Sequence, residues 1–236
     1  MVAKRDTTRL NAVGNRVVNQ ARNDLGFQER TNRNDHPIYS HYRTMARLGN
    51  RRDRKGNYLP TCGAAVYTWH LQAGVKPNVA SPGRALSWST SAKRDHRYEL
   101  GPDAKPGVIA RLRPGMVCSF RFKNQNHVGI IEQVYPLYAV TDEANTSTKG
   151  SVGFYTSTKY GVICKIRFYA IVKEAIDWRD SPETDSLIAL NDRKRYISPK
   201  MDSLRAARLS QPPPEYRKPR SKPTVKAKKP KQPTAA

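Results

Sequence analysis

The chain of 236 residues is long enough for one domain of ordinary size with extensions, or for two small domains. Only 37% of its residues are hydrophobic, which argues against a chain that is globular from end to end. Its formal net charge of +24 predicts affinity for anionic partners such as nucleic acid, anionic lipid or the polymers of a bacterial envelope. No run approaches the roughly 18 apolar residues that a membrane-spanning helix needs, so no transmembrane segment is expected.

The first half of the sequence has the periodicity of helices. One apolar stripe at spacings of three and four predicts a first helix, and its members are Leu10, Val13, Val17, Ala21 and Leu25. A second helix is predicted to start at Pro37, capped by Asp35 or His36, and to end near Gly49. A third helix is predicted from about residue 62 to residue 73, with Gly74 at its end.

The second half changes to the pattern of strands. Four segments are short and rich in β-branched and aromatic residues, at 117–122, 127–135, 138–144 and 161–172. Turn signals such as Arg113-Pro114-Gly115 separate them. Helices followed by adjacent strands predict an α+β domain in which the helices pack on an antiparallel sheet.

The C-terminal part of the chain is polar. Residues 176–210 hold one short apolar stretch and are interpreted as a helical extension and linker. Residues 211–236 hold seven prolines and eight Lys/Arg residues against one acid, so they are predicted to be a disordered tail. Such a tail acts either as a solubilising segment or as an arm that binds anions.

Cys62 is the first candidate for chemistry. At the start of a helix, its sulfur would lie near unpaired backbone N–H groups and the positive end of the helix dipole, which favour the thiolate. A single cysteine is more often a buried structural residue, so a partner base is needed to change that interpretation. Cys118 and Cys164 lie in predicted strands and are interpreted as core residues; no CxxC pair suggests a metal site.

His127 is the best candidate for that base. It opens a strand directly after a polar turn, where its side chain can reach a cleft at the end of the sheet. The next strand carries Glu143 and Asn145, two residues apart, which share a face in an extended strand. Either could hold the imidazole ring, whereas Asp142 would point the other way. An ordinary polar sheet edge is the competing interpretation of that pair.

Five segments in this order resemble one known family. The segments are ARNDLGFQERTNRNDHP, PTCGAAVYTWHLQAGV, LRPGMVCSFRF, NHVGIIEQV and VTDEANTSTKGSVG with the following YGVICKIR. They resemble the CHAP family, the cysteine- and histidine-dependent amidohydrolases and peptidases, and more broadly the NlpC-like cell-wall peptidases of papain-like fold. The resemblance covers roughly residues 15–170. The chain departs from the family pattern at Thr61, Gly63, Met116 and Asn126, where relatives often have an aromatic residue, Ala, Asp and Gly.

The resemblance implies a CHAP-like hydrolase domain over residues 1–175, with Cys62 as nucleophile and His127 as general base. It implies that Glu143 is the orienting carboxylate and Asn145 a further polar residue of the site. Cleavage of amide bonds in peptidoglycan peptides, as an amidase or an endopeptidase, is then the expected activity, with no metal or organic cofactor.

The N-terminal residues lack an apolar core of signal-peptide length, so synthesis in a cytoplasm without export by a signal peptide is expected. A lytic enzyme of this kind would reach the wall after release, by injection or within a phage virion. Its charge would help it to adsorb to anionic wall polymers. The alternative is a basic virion-associated or nucleic-acid-binding protein whose CHAP-like domain is inactive, with the tail neutralising phosphates.

Overall fold

A computed structural model describes residues 7–29, 31–100, 106–122, 125–147 and 160–181. Its helices are α1 (Thr7–Asn23), α2 (Pro37–Met45), α3 (Cys62–Gln72), α4 (Ala85–Arg94) and the single turn α5 (Pro106–Ile109). Its strands are β1 (Tyr98–Leu100), β2 (Val117–Arg121), β3 (Asn126–Val134), β4 (Tyr138–Ser147), β5 (Tyr160–Phe168) and β6 (Val172–Ile176). Among these residues the strands form one sheet in the order β1-β6-β2-β3-β4-β5, with every neighbouring pair antiparallel.

The predicted α+β class with an antiparallel sheet is therefore confirmed. The three helices expected from periodicity are present, and α2 is capped by His36, whose Nδ1 accepts a hydrogen bond from the Ile38 N–H at 3.2 Å. Helix α2 ends at Met45, earlier than predicted, because Arg47 takes a left-handed conformation with φ of 55°. No helix in the described part of the chain combines the length and the apolar character needed to cross a bilayer.

Helix α3 is the centre of the fold. It is apolar on nearly every side and is buried between α1, α2 and the strands β3 and β4. Asp24, just after α1, joins the three helices by accepting hydrogen bonds from the Tyr42 hydroxyl and the Trp69 indole N–H, both at 2.8 Å. These bonds fix α3 so that its first residue, Cys62, faces one end of the sheet.

The last part of the described chain differs from the sequence prediction. A single strand was expected over 161–172, but β5 ends at Phe168 and is followed by a 3₁₀ turn at Tyr169–Ile171. The chain then enters β6, which lies in the same sheet between β1 and β2. The Tyr169 hydroxyl holds this turn by donating to the Tyr135 carbonyl at 2.8 Å. Trp178 and Ser181 are both buried, so the folded domain extends beyond β6 to the end of the described residues. The rest of the predicted linker and the basic tail lie outside the described residues.

Candidate active site

The N-terminus of α3 presents Cys62 to backbone N–H groups. Thr61 occupies the cap position, but its buried hydroxyl makes no capping hydrogen bond and has no partner. The N–H groups of the first turn are therefore not consumed by the cap. The Gly63 N–H and the Val128 N–H of β3 both interact with the Cys62 sulfur. Cys62 itself is 5% exposed.

Gly63 is required by the close approach of a neighbouring loop. A Cβ at this position would overlap the Pro82 carbonyl oxygen and lie 3.0 Å from Trp88 Nε1. The Trp88 indole N–H donates to that same carbonyl at 2.9 Å, which holds the loop against the helix. The packing of residues 81–84 against the helix therefore explains why position 63 holds glycine where the CHAP pattern often has alanine. This packing does not involve the Cys62 sulfur.

His127 lies at the start of β3 with its ring between the sulfur and a carboxylate. Its Nε2 is 3.0 Å from Glu143 Oε2, which leaves Nδ1 for Cys62. The ring interacts with Cys62 through charge and through a hydrogen bond. It also stacks on Phe120, with centroids 5.7 Å apart, and contacts Phe122. Packing and hydrogen bonding therefore fix the imidazole orientation on two sides.

Glu143 is fully buried and holds the imidazole ring. It accepts a 2.7 Å hydrogen bond from the Thr141 hydroxyl, and Arg167 binds both of its oxygens, with Nε at 2.5 Å from Oε1 and Nη2 on Oε2. Burial alone would raise the pKa of Glu143, but Arg167 and His127 outweigh it and hold that pKa below its ordinary value. These contacts therefore favour the carboxylate form of Glu143.

The Cys62 and His127 pair is electrostatically polarised. Burial would raise the pKa of the Cys62 thiol, but the His127 charge, its hydrogen bond and the nearby N–H groups outweigh it, so this pKa lies below its ordinary value. Burial would lower the pKa of His127, yet Cys62 and Glu143 raise it to about 9. At neutral pH these shifts favour a thiolate beside an imidazolium.

Gly129 makes room for the carboxylate. A Cβ at this position would lie 2.6 Å from Glu143 Cγ and 2.8 Å from the Asp142 carbonyl oxygen. The glycine of the NHVGII segment thus allows β4 to bring Glu143 under the His127 ring. Sequence inspection marked His127 and Glu143 but gave this glycine no role.

Asn145 reaches the site by a different route from the one predicted. The register of β4 and β5 shifts between Ala144 and Thr146, and Asn145 lies in this bulge with φ of 52°. The simple alternation that was to place it on the face of Glu143 is therefore interrupted. Asn145 lines the cleft beside His127, and the bond to the His127 ring comes from Glu143.

A cleft of about 470 Å³ opens over Cys62 and His127. Five side-chain amides and two cations contribute to its lining, namely Asn32, Asn34, Gln125, Asn126, Asn145, Lys165 and Arg167. None of the described residues that line it is acidic. Such a wall of amide donors and acceptors suits the backbone of a peptide-like ligand.

Asn34 fixes one wall of this cleft. Its backbone N–H donates to Glu29 Oε2 at 2.9 Å, and its side-chain NH₂ donates to the Tyr58 carbonyl at 2.8 Å. Its own carbonyl accepts from Arg43 Nη1 at 2.7 Å. These bonds join the loop before α2 to the loop before α3, although the two loops are distant in sequence.

A second group of ionisable residues lies on the opposite face of β4. As predicted, Asp142 points away from Glu143, and it gathers there with Glu132 and Cys164, their ligand atoms lying within 4.8 Å of one another. Arg22 binds Glu132 at 3.0 Å and supplies positive charge at this point. Burial raises the pKa of Asp142 to about 8, so the carboxyl of Asp142 is largely protonated at neutral pH.

The other cysteines and the other fully buried histidine are separate from the cleft. Cys118 lies in an apolar cluster with residues such as Ile131 and Ala139, and burial raises the pKa of its thiol. His70 lies near the end of α3 with Nδ1 at 2.8 Å from the Val66 carbonyl, and burial lowers its pKa to about 4. Arg167 and Thr141 are the site residues that sequence reasoning missed. A basic residue in a strand gives no signal until its partner is known.

Comparison of the chain with known protein families, curated proteins and solved structures finds no match.

Proposed function

We propose that this protein is a cysteine hydrolase that cleaves amide bonds in peptidoglycan peptides. The observation that carries the proposal is the contact of Cys62, at a helix N-terminus, with His127, whose far nitrogen binds the buried Glu143. A thiol, a base and a group that orients the base are the parts that thiol-based acyl transfer needs.

In the proposed reaction, the Cys62 thiolate attacks the amide carbonyl carbon and forms a tetrahedral oxyanion. N–H groups at the first turn of α3 stabilise that oxyanion. The His127 imidazolium then gives its proton to the leaving amine as the C–N bond breaks, and a thioester remains on the sulfur. Neutral His127 next takes a proton from water, whose oxygen attacks the thioester and releases the acid, and that proton restores the starting pair.

The substrate class rests on the five ordered segments that resemble the CHAP family, together with the polar cleft, whose described lining residues include no acid. A helix that carries the nucleophile and packs on an antiparallel sheet also supports a papain-like arrangement of the domain. Lys165 adds positive charge to the cleft, which suits substrate peptides that carry a free carboxylate near the bond to be cut.

The intact set of Cys62, His127 and Glu143 favours an active enzyme over an inactive domain that only binds. The role we propose is that of a phage lysin or an injected effector, in which the net charge of +24 aids adsorption to anionic wall polymers.

The test is digestion of purified peptidoglycan by the wild type, Cys62→Ala and Cys118→Ala. The second variant is a matched control, because it removes a buried thiol outside the cleft. We expect new amino termini with the wild type and Cys118→Ala and none with Cys62→Ala, and mass spectrometry of the fragments will identify the bond. Equal release by Cys62→Ala and the wild type would disprove the proposal.

A further inference from the structure

A second cavity lies away from the cleft. It measures about 520 Å³ and is formed by the first turns of α1, the chain before β1, the loop before β2 and the segment after β6. Its lining residues are Thr7, Leu10, Asn11, His96, Arg97, Tyr98, Arg111, Arg113, Met116, Asp177 and Arg179. Four of these eleven residues are arginines and one is an aspartate, so the wall carries an excess of positive charge.

The cavity is at the opposite end of α3 from the nucleophile. His70, near the C-terminal end of that helix, interacts with Asp177 of the cavity wall and with the Gly115 backbone. Cys62 begins the same helix of 11 residues, so about 15 Å of helix separates the two ends. None of the residues that line this cavity lines the cleft.

The inner wall of the cavity is rigid. Asp177 accepts two hydrogen bonds from Arg179, from Nε and from Nη2, each at 2.9 Å. Arg179 is 5% exposed, and its Nη1 is buried without a hydrogen-bond partner. Arg97 is bound by Asp180 and lies over the Trp178 ring at 5.1 Å. These arginines are held in place by their neighbours, so a ligand would not have to order them.

The outer wall holds two arginines that are exposed to solvent. Arg113 Nη1 donates to the carbonyls of Ala110 and Leu112, at 2.5 and 2.6 Å, which fixes the direction of its guanidinium. Arg111 lies two residues before it on the same rim. Thr7 and Asn11 of α1 add two further polar residues to the lining.

We propose that this cavity binds a compact anion that carries two or more phosphate groups, with inorganic pyrophosphate as the smallest example. Guanidinium groups match phosphate oxygens in charge and geometry. Four arginines from separate segments of the chain line this cavity. The volume exceeds that of a single phosphate and is within the range of small-molecule sites. The site does not depend on the activity of Cys62.

Calorimetric titration of the full chain with pyrophosphate tests the proposal. The pocket variant is Arg111→Gln with Arg113→Gln, and the control is Arg51→Gln with Arg54→Gln, two exposed arginines outside the cavity. Both variants lose the same formal charge. We expect the pocket variant to bind about tenfold or more weakly, as the loss of charged hydrogen bonds predicts, and the control to bind as the wild type does.

A third variant, Asn11→Trp, fills the cavity from an exposed position without a change of charge. It should also abolish binding, and thermal unfolding will show that each variant is folded. Equal weakening in the pocket and control variants would mean adsorption by overall charge and would overturn the proposal. A parallel titration uses a single-stranded oligonucleotide. The proposal would also be overturned if the oligonucleotide binds, binds more weakly to the pocket variant, and pyrophosphate does not bind at all. Absence of pyrophosphate binding to the folded wild type would overturn it as well.

Discussion

Arg167 binds both carboxylate oxygens of Glu143 from the neighbouring strand, while the His127 ring binds the same carboxylate from the other side. Its guanidinium also lies 5.1 Å from the Phe120 ring centroid, and that ring stacks on His127. Arg167 therefore supports the orientation of the imidazole by two routes. One is the Glu143 carboxylate, and the other is the Phe120 ring that lies between Arg167 and His127. It is a positioning residue, since its bonds are to Glu143 and not to the sulfur.

Arg167→Gln should lower kcat by about 10- to 100-fold, because the charged hydrogen bonds that hold Glu143 are lost. Removal of the cation raises the pKa of Glu143, so the acid limb of the activity profile should move to higher pH. Arg167→Lys keeps the charge without the forked geometry and should restore part of the rate. The measurement is kcat against pH for the three proteins, and an unchanged profile for Arg167→Gln would rule out the positioning role.

The reactivity of Cys62 should depend on pH in a way that an ordinary thiol does not. Because its pKa lies below the usual value of 9.0, alkylation by iodoacetamide should remain fast at a pH where an ordinary thiol has slowed, and decline only as the thiolate is protonated. Hydrolysis should also fall on the alkaline side near pH 9, where His127 loses the proton that the leaving amine needs. Mass spectrometry of the labelled chain locates the modified residue.

Glu143→Gln is the matched change for this experiment, because it removes one of the charges that raise the pKa of His127. We expect its alkaline limb to move to lower pH. Labelling of Cys118 or Cys164 at the rate of Cys62 would contradict the assignment of the reactive thiol, since all three cysteines are buried.

Gly63→Ala should reduce the free energy of unfolding by about 1–3 kcal/mol, the usual cost of overpacking a filled site. The added methyl group would overlap the Pro82 carbonyl, which Trp88 holds in place. Gly107→Ala is the control, because no atom lies within 4 Å of a Cβ at that position. Urea denaturation of both variants measures the difference, and equal stabilities would show that the 81–84 loop moves aside freely.

Asp142→Asn should change how stability depends on pH. Above about pH 4 an aspartate in the unfolded chain is ionised, whereas burial raises the pKa of Asp142 to about 8. The folded protein therefore binds one more proton in this interval, and the free energy of unfolding falls with rising pH by at most about 1.4 kcal/mol per unit. The variant removes this contribution.

Denaturation curves at several pH values from 4 to 8 measure that slope. The partly exposed Asp95 supplies the control variant, Asp95→Asn. Arg94 lowers the pKa of Asp95, so this carboxyl titrates at the acid end of the range. A slope that is the same in Asp142→Asn and the wild type would mean that Asp142 is ionised throughout.

The local signals in the sequence predicted α3, the strand that His127 opens and the strand that carries Glu143, because each depends on residues close in the chain. Helix α4 was missed because ALSWSTSAKR is short and polar, with Trp88 and Ala92 as its main buried apolar residues. The position of β6 beside β2, and the bond from Arg167 to Glu143, depend on pairing between distant segments. Periodicity has no information about such pairing.

The hydrogen bonds to Glu143 limit the part that this residue can play. His127, Thr141 and Arg167 together occupy both of its oxygens, and its pKa lies far below that of the imidazole. In the proposed reaction, Glu143 therefore neither accepts nor returns a proton. The imidazole has to carry each transferred proton alone, so rates measured in mixtures of light and heavy water should fall in a straight line with the deuterium fraction.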